Sequence, residues 1–131
     1  MATIFTKIIR GEIPCHKIYE DEHCFAFLDI HPIQEGHTLI VPKIEVDHFV
    51  DVPEPYYTAV FLAAQKIGKA LQKATGCARV GTKILGWDVP HFHYHVIPMW
   101  GMGDLSAKTK SPSAEKMKAM QDKILANLKQ N

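Results

Sequence analysis

The spacing of apolar residues changes period several times along the chain. Ile4, Phe5, Ile8 and Ile9 recur at helical intervals, which predicts a short helix that stops near Gly11, with Pro14 just beyond. Lys17 to Glu20 and Cys24 to Asp29 read as two strands joined by the polar turn Asp21-Glu22-His23. His31-Pro32 breaks the second strand and Gln34-Glu35-Gly36 is a turn. The β-branched run Thr38 to Val41 predicts a third strand, closed by Pro42. The longest stripe is Val60, Ala63, Ala64, Ile67, Leu71 and Ala74, which predicts a helix from Pro53 to Thr75. Pro53 and Pro55 suit its first turn and Gly76 its stop. Arg79 to Leu85, closed by Gly86, and the alternating run His91 to Met99 predict two more strands.

After Trp100 the chain turns small and polar, and residues 101 to 113 read as a loop or arm. Ser111-Pro112 predicts a helix start, with Ser111 as cap and Pro112 in the first position. Met117, Met120, Ile124 and Leu128 then give that helix an apolar stripe. Consecutive short strands interrupted by two long helices predict an α+β domain built on an antiparallel sheet.

Composition narrows the class. The chain has 131 residues, 47% hydrophobic and 22% charged, which suits one globular domain. Its formal charge is +1 and it has no basic block, so no nucleic-acid surface is expected, although one local site could hold a small anion. Three cysteines with no CxxC spacing argue against a disulfide framework and for a reducing, cytoplasmic setting. No leader is expected in Met1 to Arg10, and no apolar run nears the roughly 20 residues that span a bilayer, so no membrane partner is expected.

The chemistry concentrates in Pro90-His91-Phe92-His93-Tyr94-His95-Val96. On a strand, His91, His93 and His95 share one face, about 7 Å apart from one to the next, and Phe92, Tyr94 and Val96 take the other. Imidazole is a nucleophile toward phosphorus and a proton carrier near neutral pH. A row of imidazoles can also hold zinc, with a ligand from elsewhere. The spacing alone leaves nucleophile and metal ligand equally open.

His91-Phe92-His93-Tyr94-His95-Val96-Ile97 resembles the signature of the histidine triad (HIT) family. So do three further segments in the same order: Ile4 to Pro14, Ala26 to Ile30, and Gly36 to Lys43. The resemblance implies a five-stranded antiparallel sheet with a long helix over residues 1–105, a C-terminal helical extension over 106–131, and a homodimer. It implies His93 as nucleophile toward the α-phosphate of a purine nucleotide, either a phosphoramidate or a dinucleoside polyphosphate. The enzyme would then be a hydrolase or nucleotidyl transferase that passes through a nucleotidyl-histidine. His91 and His95 would support the nucleophile and touch phosphate, and His37 would help orient it. Asp29 would bond the ribose hydroxyls, and Ile4, Phe5, Ile8, Phe27 and Ile30 would flank the base. Gly86, Asp88 and Val89 would lie at the phosphate. No cofactor is implied.

The segment before the triad departs from the family pattern. Gly86-Trp87-Asp88 stands where many members have Gly-Gln-Ser or Gly-Gln-Thr, and Val80 aligns with a usual Asn. A carboxylate beside phosphate is repulsive unless it is protonated, turned away or bridged by a cation. These changes motivate an alternative, a nucleotide-binding or scaffold protein with little turnover. Some members build a structural zinc site from two cysteines and a histidine. Thr3, Thr6 and Glu45 occupy those places here, so no metal is expected.

Overall fold

The computed structural model describes residues 2–129. Helix α1 spans Ile4–Ile9, strand β1 Lys17–Glu20, β2 Cys24–Leu28 and β3 Thr38–Pro42. Helix α2 follows over Tyr56–Thr75, then β4 over Arg79–Lys83, β5 over Tyr94–Met99 and helix α3 over Ala114–Leu128. The five strands form one antiparallel sheet in the order β1-β2-β3-β5-β4.

Both faces of the central strands are covered, which explains why β2 and β3 are buried at every position. Alternation along β2 sends Cys24, Ala26 and Leu28 to one face, where they meet Ile40, Val96, Val60, Ile67 and Leu71 under α2. Met117 and Ile124 of α3 enter the same cluster, so the C-terminal helix shares the core of the sheet. On the opposite face Phe25, Phe27, Leu39 and Val41 pack with Phe5 and Ile8 of α1. An isolated helix as short as α1 is unstable in water, and these two buried anchors hold it to the sheet.

The element boundaries differ from the sequence reading at four ends. Helix α2 begins at Tyr56 rather than Pro53, with Pro55 as the capping residue, while Gly76 closes it in the left-handed conformation as expected. The cap of α3 is Ser113, whose hydroxyl accepts from the Lys116 N–H, and not Ser111. Strand β4 stops at Lys83, short of Leu85. Strand β5 begins at Tyr94, three residues after His91. Here the hydrogen bonds explain the change. The His91 N–H donates to the Val89 carbonyl and the Phe92 N–H to the Val46 carbonyl, so the first half of the motif bonds to loops and not to a sheet ladder.

Candidate active site

The three triad rings keep one face although only His95 lies on a strand. Phe92 and Val96 enter the core beneath α2, with Tyr94 packed against it, whereas His91 and His93 contact Phe5 on the α1 side. The rings are closer than an ideal strand would place them, with His93 and His95 centroids 5.1 Å apart. His37, just before β3, adds a fourth ring 5.2 Å from His95. His91, His93 and His37 are buried.

The hydrogen bonds fix where each neutral ring carries its proton. The Ile33 N–H donates to His37 Nδ1 at 3.0 Å, so the His37 proton sits on Nε2. That Nε2 lies 2.9 Å from His95 Nδ1 and donates to it, which puts the His95 proton on its own Nε2. His93 Nδ1 donates to the His91 carbonyl at 2.8 Å, leaving His93 Nε2 with a free lone pair. His91 Nε2 donates to the Pro42 carbonyl at 2.9 Å, so His91 Nδ1 accepts from the Thr3 hydroxyl at 2.7 Å.

Electrostatics favour neutral rings at His37, His95 and His91. Burial pushes His37 down to about 3, helped by the charges of His95 and Lys83. Burial likewise pushes His95 down to about 4, helped by His93 and Lys83. His91 is lowered by burial, against the pull of its bond to Pro42 and the charge of Glu45. Asp29, beside this group, has its carboxyl raised by burial, and its Oδ1 accepts from the His31 N–H at 2.9 Å. Its Oδ2 lies 3.8 Å from His37 Nε2, too far to compete with His95 for that proton.

The remaining expected residues divide between floor and rim. Phe5, Ile8 and Phe27 are buried side by side, with Phe5 and Phe27 centroids 5.6 Å apart, and Val89 packs against this cluster. Ile4 and Ile30 are exposed. Gly86 has a φ of +90°, a conformation that L side chains resist, and it turns the chain ahead of Asp88. Asp88 is 80% exposed in its side chain, yet its Oδ1 lies 3.4 Å from His93 Nε2. A solvent-facing carboxylate therefore stands beside that nitrogen.

Thr3, Thr6 and Glu45 come together beneath His91. The Thr3 N–H donates to Glu45 Oε1 at 2.9 Å and the Thr6 hydroxyl to the same oxygen at 2.6 Å, which holds the Glu45 carboxyl below its ordinary value. The Thr3 hydroxyl also accepts from the Thr6 N–H as the cap of α1. Thr3→Val keeps the side-chain shape but removes this acceptor and the donor to His91. It is expected to cost about 1–3 kcal/mol, read by chemical denaturation, because His91 Nδ1 would be left buried without a partner.

Two features were not legible as site residues. Lys83 pairs directly across from His95 in the sheet, on the same face, and only the strand register reveals it. The support of His91 by Thr3 joins positions far apart in sequence. Its one local signal is the spacing Thr3-x-x-Thr6 at a helix start. Among the described residues, Asp29, His37 and His95 offer ligand atoms within 4.8 Å of one another. An ion there would have to displace the proton between His37 and His95.

An antiparallel five-stranded sheet presenting a histidine row beside a long helix defines a histidine triad fold, and the chain belongs to the HIT domain family, whose profile matches residues 10–101. It is 39% identical over 106 residues to Protein hit of Bacillus subtilis, covering 77% of this chain and 73% of that one. It is 40% identical over 98 residues to the adenosine 5'-monophosphoramidase HNT1 of Saccharomyces cerevisiae, covering 74% of this chain and 62% of that one. The crystal structure of a Hit-like protein involved in cell-cycle regulation from Bartonella henselae superposes with a TM-score of 0.84 at 33% identity, covering 95% of each chain.

Proposed function

We propose that this chain is a nucleotide hydrolase or nucleotidyl transferase whose nucleophile is His93 Nε2. The observation that carries the reading is the free lone pair on that nitrogen. The bond from Nδ1 to the His91 carbonyl holds the ring in the reactive tautomer. His95 beside it carries a proton on Nε2 and would donate to an oxygen of the α-phosphate, an arrangement fixed through His37 and Ile33. The relation to a monophosphoramidase supports an adenylate substrate.

Attack by His93 would form the nucleotidyl-histidine and expel the leaving group. Water would then release the nucleoside monophosphate, or another acceptor would take the nucleotidyl group. Backbone N–H groups of the turn from Gly86 toward Val89 would steady the phosphate. Asp29 keeps one oxygen free of strong bonds and would accept ribose hydroxyls. Ile4 and Ile30 are exposed apolar side chains and would flank a purine, while Phe5, Ile8 and Phe27 are buried together.

The test is incubation of the protein and His93→Ala with adenosine 5'-phosphoramidate and with diadenosine polyphosphates, followed for AMP and for an adenylated peptide containing residues 91–95. AMP release and adduct confined to the unaltered protein support the reading. Nucleotide binding by both proteins without turnover would favour a binding or scaffold role, and activity removed by a chelator and restored by zinc would favour a metal at Asp29, His37 and His95.

The chain is also proposed to work as a homodimer. Strand β4 is an open sheet edge, and Phe49, Val50, Tyr57, Phe61, Leu62 and Ile84 line an apolar groove of ≈ 500 Å³. Phe61 is 66% exposed, far more than a buried core position would allow. Phe61→Asp is expected to shift the protein to monomer in sedimentation experiments at micromolar concentration. An unchanged mass would remove this face as the interface. No helix among the described residues is long and apolar enough to cross a membrane, and Cys15, Cys24 and Cys77 are unpaired, which supports a reducing, cytoplasmic setting.

A further inference from the structure

We propose that Lys110 is a positioning residue for the triad: its backbone N–H begins a hydrogen-bond relay that fixes the proton on His95 Nε2. This rests on His95 being the donor to the α-phosphate, as proposed above. Residues 101–113, a loop or arm by sequence, dock through Lys110 against the segment that precedes β3. The Lys110 N–H donates to the Pro32 carbonyl at 2.8 Å. The same peptide group carries the Ile33 N–H, which donates to His37 Nδ1 at 3.0 Å. A trans peptide is planar, with its C=O and N–H pointing opposite ways. The grip on its oxygen therefore sets the direction of its N–H.

The rest of the arm holds the same short segment. Leu105, in a helical turn over Met102–Ser106, packs against the buried cluster of Ile33, Ile97 and Met99. Lys110 Nζ donates to Gln34 Oε1 at 2.9 Å, and the Gln34 carbonyl accepts from the His37 N–H at 3.0 Å. Proline fixes its own φ, so the peptide between Pro32 and Ile33 can turn only about the Pro32 ψ and the Ile33 φ. The Lys110 bond and the packing of Ile33 oppose both rotations.

The direction of the relay decides what His95 can do. With the Ile33 N–H on Nδ1, His37 carries its proton on Nε2, and His95 accepts on Nδ1 and keeps a proton on Nε2. If the peptide turned away, the His37 proton could sit on Nδ1 instead. His37 Nε2 would then accept from His95 Nδ1, and His95 Nε2 would present a lone pair to the phosphate. The first direction alone offers an N–H to the charge that develops on the phosphate oxygens. Each bond in such a chain also polarises the next, so the Lys110 N–H strengthens the donor that selects the His37 tautomer. Lys110 acts in this way without touching the nucleotide.

The experiment compares Lys110→Pro, which removes the N–H, with Lys110→Met, which keeps it and removes the ammonium. Nitrogen NMR of the imidazole rings, recorded without nucleotide, reads the tautomers of His37 and His95. Lys110→Pro should move their signals from one tautomer toward the average of the two. It should also lower kcat for adenosine 5'-phosphoramidate by about 3- to 10-fold, with KM held within about twofold. Lys110→Met should retain the parent's ring signals and kcat. An ester in place of the amide between Thr109 and Lys110 removes the same N–H with the side chain kept, and it decides the matter if Lys110→Pro fails to fold. Ring signals that the ester leaves in place, an equal loss in Lys110→Met, or shifted signals with no fall in kcat each overturn the relay. An unaltered protein that releases no AMP overturns the function proposed above, and the ring signals still decide whether Lys110 sets the tautomer.

Discussion

Replacing His93 with alanine is expected to cut kcat for AMP release by on the order of 10^4-fold, while nucleotide binding persists. Loss of the proposed nucleophile would remove the covalent route altogether, and neighbouring groups could not substitute. His95 Nδ1 is occupied by the His37 proton, and His91 has both nitrogens committed to Thr3 and Pro42. The variant also deprives the His91 carbonyl of its donor and leaves a gap against Phe5, whose ring lies 5.0 Å from that of His93. A stability loss of about 2–4 kcal/mol accompanies the change. Calorimetry with AMP separates the two effects, because a folded variant that binds but does not turn over isolates the chemical step. Activity within tenfold of the parent, or an adenylated residue elsewhere, would remove His93 from the mechanism.

Acidification is expected to destabilise the fold well before its ordinary carboxylates titrate. His37 and His95 are pushed from an ordinary 6.5 to about 3 and about 4 respectively, and His91 is lowered as well, by burial above all. Below pH 6.5 the unfolded chain takes up protons on these rings that the folded chain refuses. Stability is then fully present above the unfolded value and falls as pH drops toward the folded values. Several kcal/mol are at stake, since each unit of separation is worth about 1.4 kcal/mol. The raised carboxyl of Asp29 works in the opposite direction. Denaturant midpoints measured between pH 7 and about pH 4.5 should fall steadily, and His37→Gln should flatten the slope. A midpoint independent of pH over that interval would contradict neutral, buried rings.

Much of this fold is written locally. Helix α2 follows from a stripe of small and branched residues with Gly76 behind it, and the strands β1 to β3 follow from short apolar runs between turns. The candidate site was legible to the extent that its residues cluster in sequence, as His91, His93 and His95 do, or lie in segments that resemble the family's, as His37 and Asp29 do. What escaped depends on tertiary register. Nothing near Lys83 marks it as a neighbour of His95 until β4 and β5 are paired. The late start of β5 was hidden because alternation of Phe92 and Tyr94 reads the same whether the ladder includes them or not. Phe5 and Phe27, which the resemblance would set against the base, are buried side by side, with Phe5 against His91 and His93.

The fastening of His91 to Thr3 joins residues 88 positions apart through a helix of six residues. So short a helix holds by Phe5, Ile8 and its cap, and it can lift from the sheet without disturbing the core under α2. Such a local opening would release the α1 side of the triad at a free energy below that of global unfolding. The integrity of the site and the integrity of the domain are thus separate quantities, and the first can be lost while the second still holds.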